Sequence, residues 1–381
     1  MKKKLIRVTT ADISLAGLLK GQLRFLNREF EVVGIAADTG ILASVGEREG
    51  IRVIDVPMHR EISIWSDFAG LFTLIRLFRR EKPFIVHSNT PKGSLLSMIA
   101  ALVSGVPNRI YLVTGLRYQG ASGISRWVLR TMEMITCVCA NKVIPEGQGV
   151  KSTLLSDHIT RKPLEVIHNG NISGIDTSFF SVDSCLETRS VMRNKLGLGN
   201  RDFAFIFIGR IVRDKGMNEL ADAMRNLSVL HPECKLILVG SFETELDPLL
   251  PGNEGFFKSS PNVVFVGYQQ DVRPYLVAAD ALVFPSYREG FPNVVMQAGA
   301  MGLPSIVTDI NGCNEIIVDG KNGRIIPPKD EAELESAMIW FIENQQEVAS
   351  MASRAVQMIK ARYEQKDVWY AIMNMYLSLD R

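Results

Sequence analysis

Two short stretches in the second half of the chain carry side chains suited to a charged, hydroxyl-rich ligand. GRIVRDKG (209–216) sets Arg210 and Lys215 in a glycine-bounded turn. Two cations so placed neutralise a diphosphate and stabilise it as it departs. Taken alone, the stretch reads equally well as a solvated basic loop. REGFPNVVMQAGAMG (288–302) puts Glu289 and Gly290 ahead of an apolar helical run. Pro292 suits a first helical position, because it lacks only a donor that has no partner there. The N–H groups of residues 293–295 then face a ligand, and a helix start of this kind favours phosphate. Glu289 suits sugar hydroxyls or a developing positive charge better than phosphate; the plainer reading is an acidic residue near a helix start. Gln297 stands four residues beyond Asn293, one helical turn of about 5.4 Å deeper. Glu289 and Gln297 would thus meet different parts of one elongated ligand, the competing reading being a buried amide bonded to a neighbouring loop.

Further candidates follow other β-rich runs. Gly240 closes KLILVG, and Gly267-Tyr268 closes NVVFVGY, where backbone groups could read a base. In the first half, VHSNTPKG carries His87, Thr90 and Lys92, and RIYLVTGLR carries Thr114 and Arg117. A lone histidine is more often structural than catalytic; at the mouth of a cleft, His87, Lys92, Thr114 and Arg117 become acceptor-side candidates. Asn169-Gly170 reads as a turn. Cys137 and Cys139 form C-x-C inside an apolar run, with no second pair to complete a zinc site, and read as core.

Positioning these loops requires strands that end where the loops begin. Residues 5–10, 31–37, 51–56, 84–89, 109–114 and 142–146 form one β-rich series. Residues 203–209, 235–240, 262–266, 281–285 and 304–308 form a second. Helical patterns such as 15–28 and 66–80 lie between, which argues an α/β fold with parallel sheets covered on both faces. The loop-like region 169–200 separates the two series. The expected organisation is two Rossmann-like domains, 1–180 and 181–361, with a terminal helix over 362–381 packing back on the first. Ligands of such folds bind at the carboxyl ends of strands, in the cleft between the domains.

Composition narrows the class. Apolar residues make up 46% of the 381 and charged residues 22%, which suits a globular protein with ample core and excludes a disordered chain. Five cysteines without a regular framework point to a reducing compartment. The start MKKKLIRVTT has too short an apolar run for a signal peptide, and about 18 uninterrupted apolar residues occur nowhere, so a cytoplasmic protein without a spanning helix is expected. The net charge of +2 conceals an asymmetry: residues 1–180 hold 23 Lys+Arg against 15 Asp+Glu. A basic first half fits an anionic partner such as a lipid surface or a diphosphate. The Arg-bearing run ISRWVLRTMEMITCVC (124–139) could touch a bilayer, although a core helix is the preferred reading. Neither half has G-x-G-x-x-G after its first strand, which argues against an NAD enzyme.

The ordered set VIHNGNISGID…F, FIGRIVRDKG, LVGS, and FVGYQQDVRPYLVAADALVFPSYREGFPNVVMQAGAMGLPSIVTDINGCNEIIVDGKNGRIIPP resembles the family 4 retaining glycosyltransferases, whose fold is GT-B. It covers most of residues 165–328. VHSNTPKGSLLSMIAALVSGVP looks like the bacterial surface-polysaccharide branch, which includes enzymes that extend undecaprenyl-diphosphate-linked sugars. The resemblance implies that Arg210 and Lys215 hold the donor diphosphate, and Glu289 the donor sugar. It implies that the backbone of Gly290, Phe291, Pro292, Asn293 and Val294 lines sugar and phosphates, that Gly240 and Tyr268 lie near the nucleotide, and that position 297 holds the ribose. Two departures stand out. The family motif is E-x7-E, and here the second glutamate is Gln297, which still bonds a diol but without a charge-assisted acceptor. Thr114 also stands where many relatives carry a histidine before a glycine, with His87 as a substitute.

A retaining transferase acting on a UDP-sugar, with an N-acetylhexosamine first among donors, is therefore the preferred reading. The acceptor is expected to be a lipid-linked or glycan hydroxyl in capsular or other surface polysaccharide assembly, with peripheral contact at the inner membrane and no nucleic-acid partner. No D-x-D occurs, so no metal and no separate cofactor are expected, the electrostatic role falling to Arg210, Lys215 and the 293 helix start. For such enzymes the acceptor attacks from the leaving-group face and a donor phosphate oxygen takes its proton, while domain closure excludes water. The alternatives are a UDP-sugar 2-epimerase of the same architecture and a catalytically silent nucleotide-sugar binding protein.

Overall fold

The computed structural model describes residues 2–58, 64–243, 245 and 247–379. The chain divides into two compact units, Met1–Gly174 with Lys366–Arg381, and Ile175–Gln365. Within the second, Ile175 and Glu364 form a bridge, flanked by bonds from Ile175 N–H to Tyr363 O (2.8 Å) and from Gln365 N–H to Ile175 O (3.0 Å). Both ends of that unit are therefore tied side by side, a few residues away from the expected boundaries at 180/181 and 361/362. Residues 380 and 381 of the expected terminal helix lie outside the described residues.

The first unit is built on β1 (Lys4–Ala11), β2 (Glu31–Ala37), β3 (Arg52–Asp55), β4 (Ile85–Ser88), β5 (Asn108–Val113) and β6 (Lys142–Pro145), all paired parallel in the order β3-β2-β1-β4-β5-β6. Its helices are α1 (Asp12–Leu18), α2 (Gln22–Leu26), α3 (Leu42–Glu49), α4 (Ile64–Glu81), α5 (Pro91–Val103), α6 (Gly123–Cys139) and α7 (Gln148–Ser156). Adjacent strand residues face opposite layers. Leu5, Ile85 and Ile110 pack with Leu15, Leu23 and Val45 of α1–α3, whereas Ile6, Val86 and Tyr111 pack with Leu74, Met98 and Cys137 of α4–α6. The helical run expected over 15–28 is broken into α1 and α2 at Gly21, whose N–H donates to Glu49 Oε1 (3.0 Å).

The second unit repeats the plan. Its strands are β7 (Phe203–Ile208), β8 (Cys234–Val239), β9 (Val263–Gly267), β10 (Ala281–Phe284), β11 (Ser305–Thr308) and β12 (Gly323–Ile326), all parallel in the order β12-β11-β10-β7-β8-β9. They alternate with α8 (Arg189–Lys195), α9 (Met217–Leu230), α10 (Asn253–Ser259), α11 (Arg273–Ala278), α12 (Asn293–Ala300), α13 (Cys313–Ile316), α14 (Glu331–Glu343) and α15 (Gln345–Tyr363). The last helix, α16 (Gln365–Leu377), runs into the first unit and sends Val368 and Ile372 into its core. Buried strands such as FAFIFI read as near-continuous apolar runs because helices cover both faces. Some elements had no sequence expectation. β12 is a four-residue edge strand between turn residues, and α8, inside the region read as loop, buries only Met192 and Arg193. In each sheet the strand order reverses between the first and fourth strands, β1/β4 and β7/β10. The loops leaving that point are where doubly wound folds bind ligands. No helix among the described residues is long and apolar enough to cross a membrane.

Candidate functional site

The loops after β7 and β10 leave the reversal point of the second sheet together, so residues 74 positions apart become neighbours. Gly216 permits this approach: its φ is +70°, and an added Cβ would stand 2.1 Å from Pro285 O. Polar ties then lace the loops. Tyr287 N–H donates to Asp214 O (2.9 Å), Arg288 Nε to Asp214 Oδ2 (2.8 Å), and Asp214 N–H to Asp247 Oδ2 (2.7 Å). At the centre, Lys215 Nζ pairs with Glu289 Oε1, and the buried Ser286 Oγ donates to the same oxygen at 2.8 Å. The side chains of Lys215 and Glu289 are each only 16% exposed, and the Phe284 ring lies 5.3 Å from Lys215 Nζ. Water screening of this pair is therefore limited. Glu289 Oε2 accepts no hydrogen bond among the described residues, which leaves it an acceptor for a ligand hydroxyl. Beneath it, burial foremost and the Glu289 charge next push the Cys313 thiol well above its ordinary range.

Arg210 is more exposed and bonds Glu243 Oε2 at 2.8 Å. An exposed pair of this kind is worth about 0–1 kcal/mol, so an arriving anion can displace Glu243. α12 starts at Asn293, one position after the expected first helical residue Pro292, which is instead its cap at φ −75° and ψ 110°. Val295 N–H bonds Pro292 O (3.2 Å), so one of the three amides expected to face a ligand is already used. The Phe291 side chain is also unavailable: it is buried, edge-on to Tyr363 at 5.6 Å between centroids, and only its backbone can line a ligand. Asn293, Val294 and Gln297 form the partly exposed stripe of α12, while Val295, Met296, Ala298, Gly299 and Ala300 are buried. The Gln297 amide makes no hydrogen bond among the described residues, so the reading of a buried, satisfied amide does not hold. Tyr268 is exposed just beyond β9, and Gly240 N–H donates to Gly267 O (2.9 Å). Gly240 itself has a packing reason: a Cβ there would stand 1.8 Å from Gly209 O.

In the first unit the candidates separate. His87 is fully buried in β4 and is corrected to a structural residue. Arg7 Nη1 donates to the Tyr376 hydroxyl (3.0 Å), which in turn bonds His87 Nδ1. Burial and the Arg7 charge drive the imidazole pKa well below its usual value, so it stays neutral. Lys92 is buried and paired with Asp67 Oδ1 (2.6 Å), which turns its charge inward rather than toward an acceptor. Thr114 Oγ1 donates to Asn89 O (3.0 Å). Arg117 is exposed in the short turn 117–120, and its side chain makes no hydrogen bond among the described residues. Lys92 and Arg117 line one small cavity with Tyr118, Met132 and Glu133. Burial raises the Glu133 carboxyl to about 7, against a bond from Tyr111 Oη (2.6 Å) that lowers it. Residues that sequence reasoning passed over are Ser286, Asp214, Arg288 and Cys313; Asp214 and Arg288 each stand next to a residue chosen for its charge, and Ser286 stands three positions before Glu289.

Two family profiles match. "Glycosyltransferase Family 4" matches residues 22–172, and "Glycosyl transferases group 1" matches residues 202–344. The capsular polysaccharide biosynthesis glycosyltransferase CapM of Staphylococcus aureus is 30% identical over 380 residues, 98% of this chain and 97% of that protein. The UDP-Gal:alpha-D-GlcNAc-diphosphoundecaprenol alpha-1,3-galactosyltransferase of Escherichia coli is 26% identical over 89% of each chain. Among solved structures, Anabaena HepE in complex with UDP-glucose superposes with a TM-score of 0.78 at 20% identity, over 99% of this chain and 100% of that one. Two parallel six-stranded sheets of matching order and a near-complete relative at this identity lead to one assignment: the chain is a glycosyltransferase of family 4 with the GT-B fold.

Proposed function

We propose that the chain transfers a hexosyl group, with an N-acetylhexosamine as first candidate, from a UDP-sugar to a hydroxyl of an undecaprenyl-diphosphate-linked saccharide during capsular or other surface polysaccharide assembly. The observation that carries this is the Lys215–Glu289 pair with its Ser286 support at the β7/β10 reversal point. The names of the staphylococcal and E. coli relatives support the pathway and the lipid-linked acceptor, and the HepE complex supports UDP-glucose-like donors. In this reading Lys215 and Arg210 neutralise the diphosphate, and Glu289 Oε2 takes a sugar hydroxyl. Gln297 bonds the ribose, and Tyr268 stands by the base. The C1–O bond to the diphosphate breaks with its electron pair going to the phosphate oxygen. The acceptor oxygen bonds C1 from that same face, and its proton passes to a phosphate oxygen, so configuration is retained and no protein base is required. The reaction then runs on the cytoplasmic side, at the surface that carries the acceptor lipid.

The test is UDP release from purified protein given a panel of UDP-sugars and a lipid-linked acceptor. Lys215→Ala and Glu289→Ala should each abolish turnover with the thermal unfolding profile retained. Near-wild-type activity in either variant removes the proposed donor site, and epimerisation of UDP-GlcNAc without acceptor overturns the transferase reading.

A further inference from the structure

An ion pair loosens when a third charge competes for its cation. In the reaction proposed above, the diphosphate competes with Glu289 for Lys215, while the sugar draws on the carboxylate. Yet that pair is one of the contacts that join the loops after β7 and β10. Some other tie must keep the two loops in place while the ligand divides the pair. Two candidates meet at a single residue: Tyr287 N–H donates to Asp214 O (2.9 Å), and Arg288 Nε donates to Asp214 Oδ2 (2.8 Å). Arg288 is exposed, and an exposed pair of this kind adds little. With both ties at one point, the loop that carries Glu289 can still turn about Asp214.

A further bond acts away from that point. Tyr287 Oη donates to Glu219 Oε1 at 2.6 Å. This is the sole hydrogen bond of the Glu219 carboxylate among the described residues, and its buried Oε2 has no partner there. Glu219 stands in the first turn of α9, between the buried Met217, Asn218, Leu220 and Ala221, so the acceptor rides on an element anchored in the core. Burial foremost, and the Glu219 bond next, push the Tyr287 hydroxyl above its ordinary range, which keeps it a donor. Lys329 Nζ, from the turn after β12, lies 4.8 Å over the Tyr287 ring. Tyr287 thus binds the residue just before Lys215 and the residue four positions after it, and it stands two positions before Glu289.

We infer that Tyr287 is a positioning residue for the transfer, its bond to Glu219 holding Glu289 at a fixed offset from Lys215 while the ligand draws the two apart. The inference rests on the proposed donor site. While the Lys215–Glu289 pair is intact, the bond is one tie among several. Its loss is therefore felt in turnover more than in the stability of the protein.

Tyr287→Phe keeps the ring and its contact with Lys329 and removes only the donor. It should lower kcat about tenfold, the loss of one hydrogen bond to a carboxylate. Thermal unfolding and the affinity for UDP, measured by calorimetric titration, should stay as in the wild type, since UDP carries no sugar for Glu289 to hold. Glu219→Leu should match Tyr287→Phe, and the double variant should be no slower than either single one, because both remove the same bond. Glu219→Gln retains an acceptor oxygen and should recover most of the turnover that Glu219→Leu loses. Wild-type kcat in Tyr287→Phe, additive losses in the double variant, or UDP affinity that falls in step with kcat overturns the inference. Activity retained in Lys215→Ala or Glu289→Ala removes the donor site itself, whereas loss in those two with wild-type turnover in Tyr287→Phe removes this inference alone.

Discussion

Ser286→Ala tests whether Glu289 works because it is held in place. Ser286 is fully buried, and its Oγ stands 2.8 Å from Glu289 Oε1, closer than the 3.3–3.4 Å to Arg288 O and Asp214 O. The hydroxyl has one proton, and the carboxylate takes it. A hydrogen bond to a charged group contributes about 1.5–3 kcal/mol. Lys215 remains as the second partner of the same oxygen, so the loss should fall toward the lower half of that range. At about 1.4 kcal/mol per factor of ten, kcat/KM should drop by roughly 10- to 50-fold. If the role is positioning, the fall should appear in kcat with the affinity for UDP, measured by calorimetric titration, nearly unchanged. The nucleotide meets other residues in this reading, so a merely structural defect would weaken UDP binding and turnover together. Unchanged kcat/KM, or a loss confined to UDP binding, would refute the reasoning.

Gln297→Glu should tighten UDP binding by up to about tenfold or leave it unchanged, since a carboxylate bonds hydroxyls about twice as strongly as an amide; a large loss, seen in the same titration, would show that the amide serves a specific contact. Chelation with EDTA should leave turnover unaltered if, as proposed, Lys215 and Arg210 supply the positive charge at the diphosphate; loss restored by added Mg²⁺ or Mn²⁺ would reverse that proposal. Glu133 has a folded pKa of about 7, raised from 4.5, so its contribution is fully present below about pH 4.5 and is lost as pH rises through 7. Urea unfolding of wild type should therefore lose up to about 3 kcal/mol more than Glu133→Gln between pH 4.5 and 8, and parallel pH profiles would dismiss the burial argument.

The fold was legible because its strands are buried on both faces, so that FAFIFI and KLILV announce themselves by composition alone. The site was legible where charge interrupts glycine-rich loops, at Arg210, Lys215 and Glu289. What escaped were contacts made by tertiary approach. Nothing around His87 signals that Tyr376, 289 residues away, will enclose it. Phe291 sits inside a ligand-facing loop, yet its ring meets Tyr363 of α15. Gln297 was ambiguous because apolar neighbours on both sides hide which stripe of the helix meets solvent.

The bond from Arg7 to Tyr376 bears on the order of synthesis. Arg7 is fully buried, and its two Nη groups donate to Gln22 and Asn89 from its own half and to Tyr376 from α16, while its Nε has no partner among the described residues. Multidomain chains usually complete their N-terminal domain first as they emerge from the ribosome. Here residues 175–365 can close their own sheet while the earlier unit still waits for α16 to cover its core. The first unit begun is the last one finished, and in the interval it depends on whatever shields an uncovered Phe25–Phe30 surface.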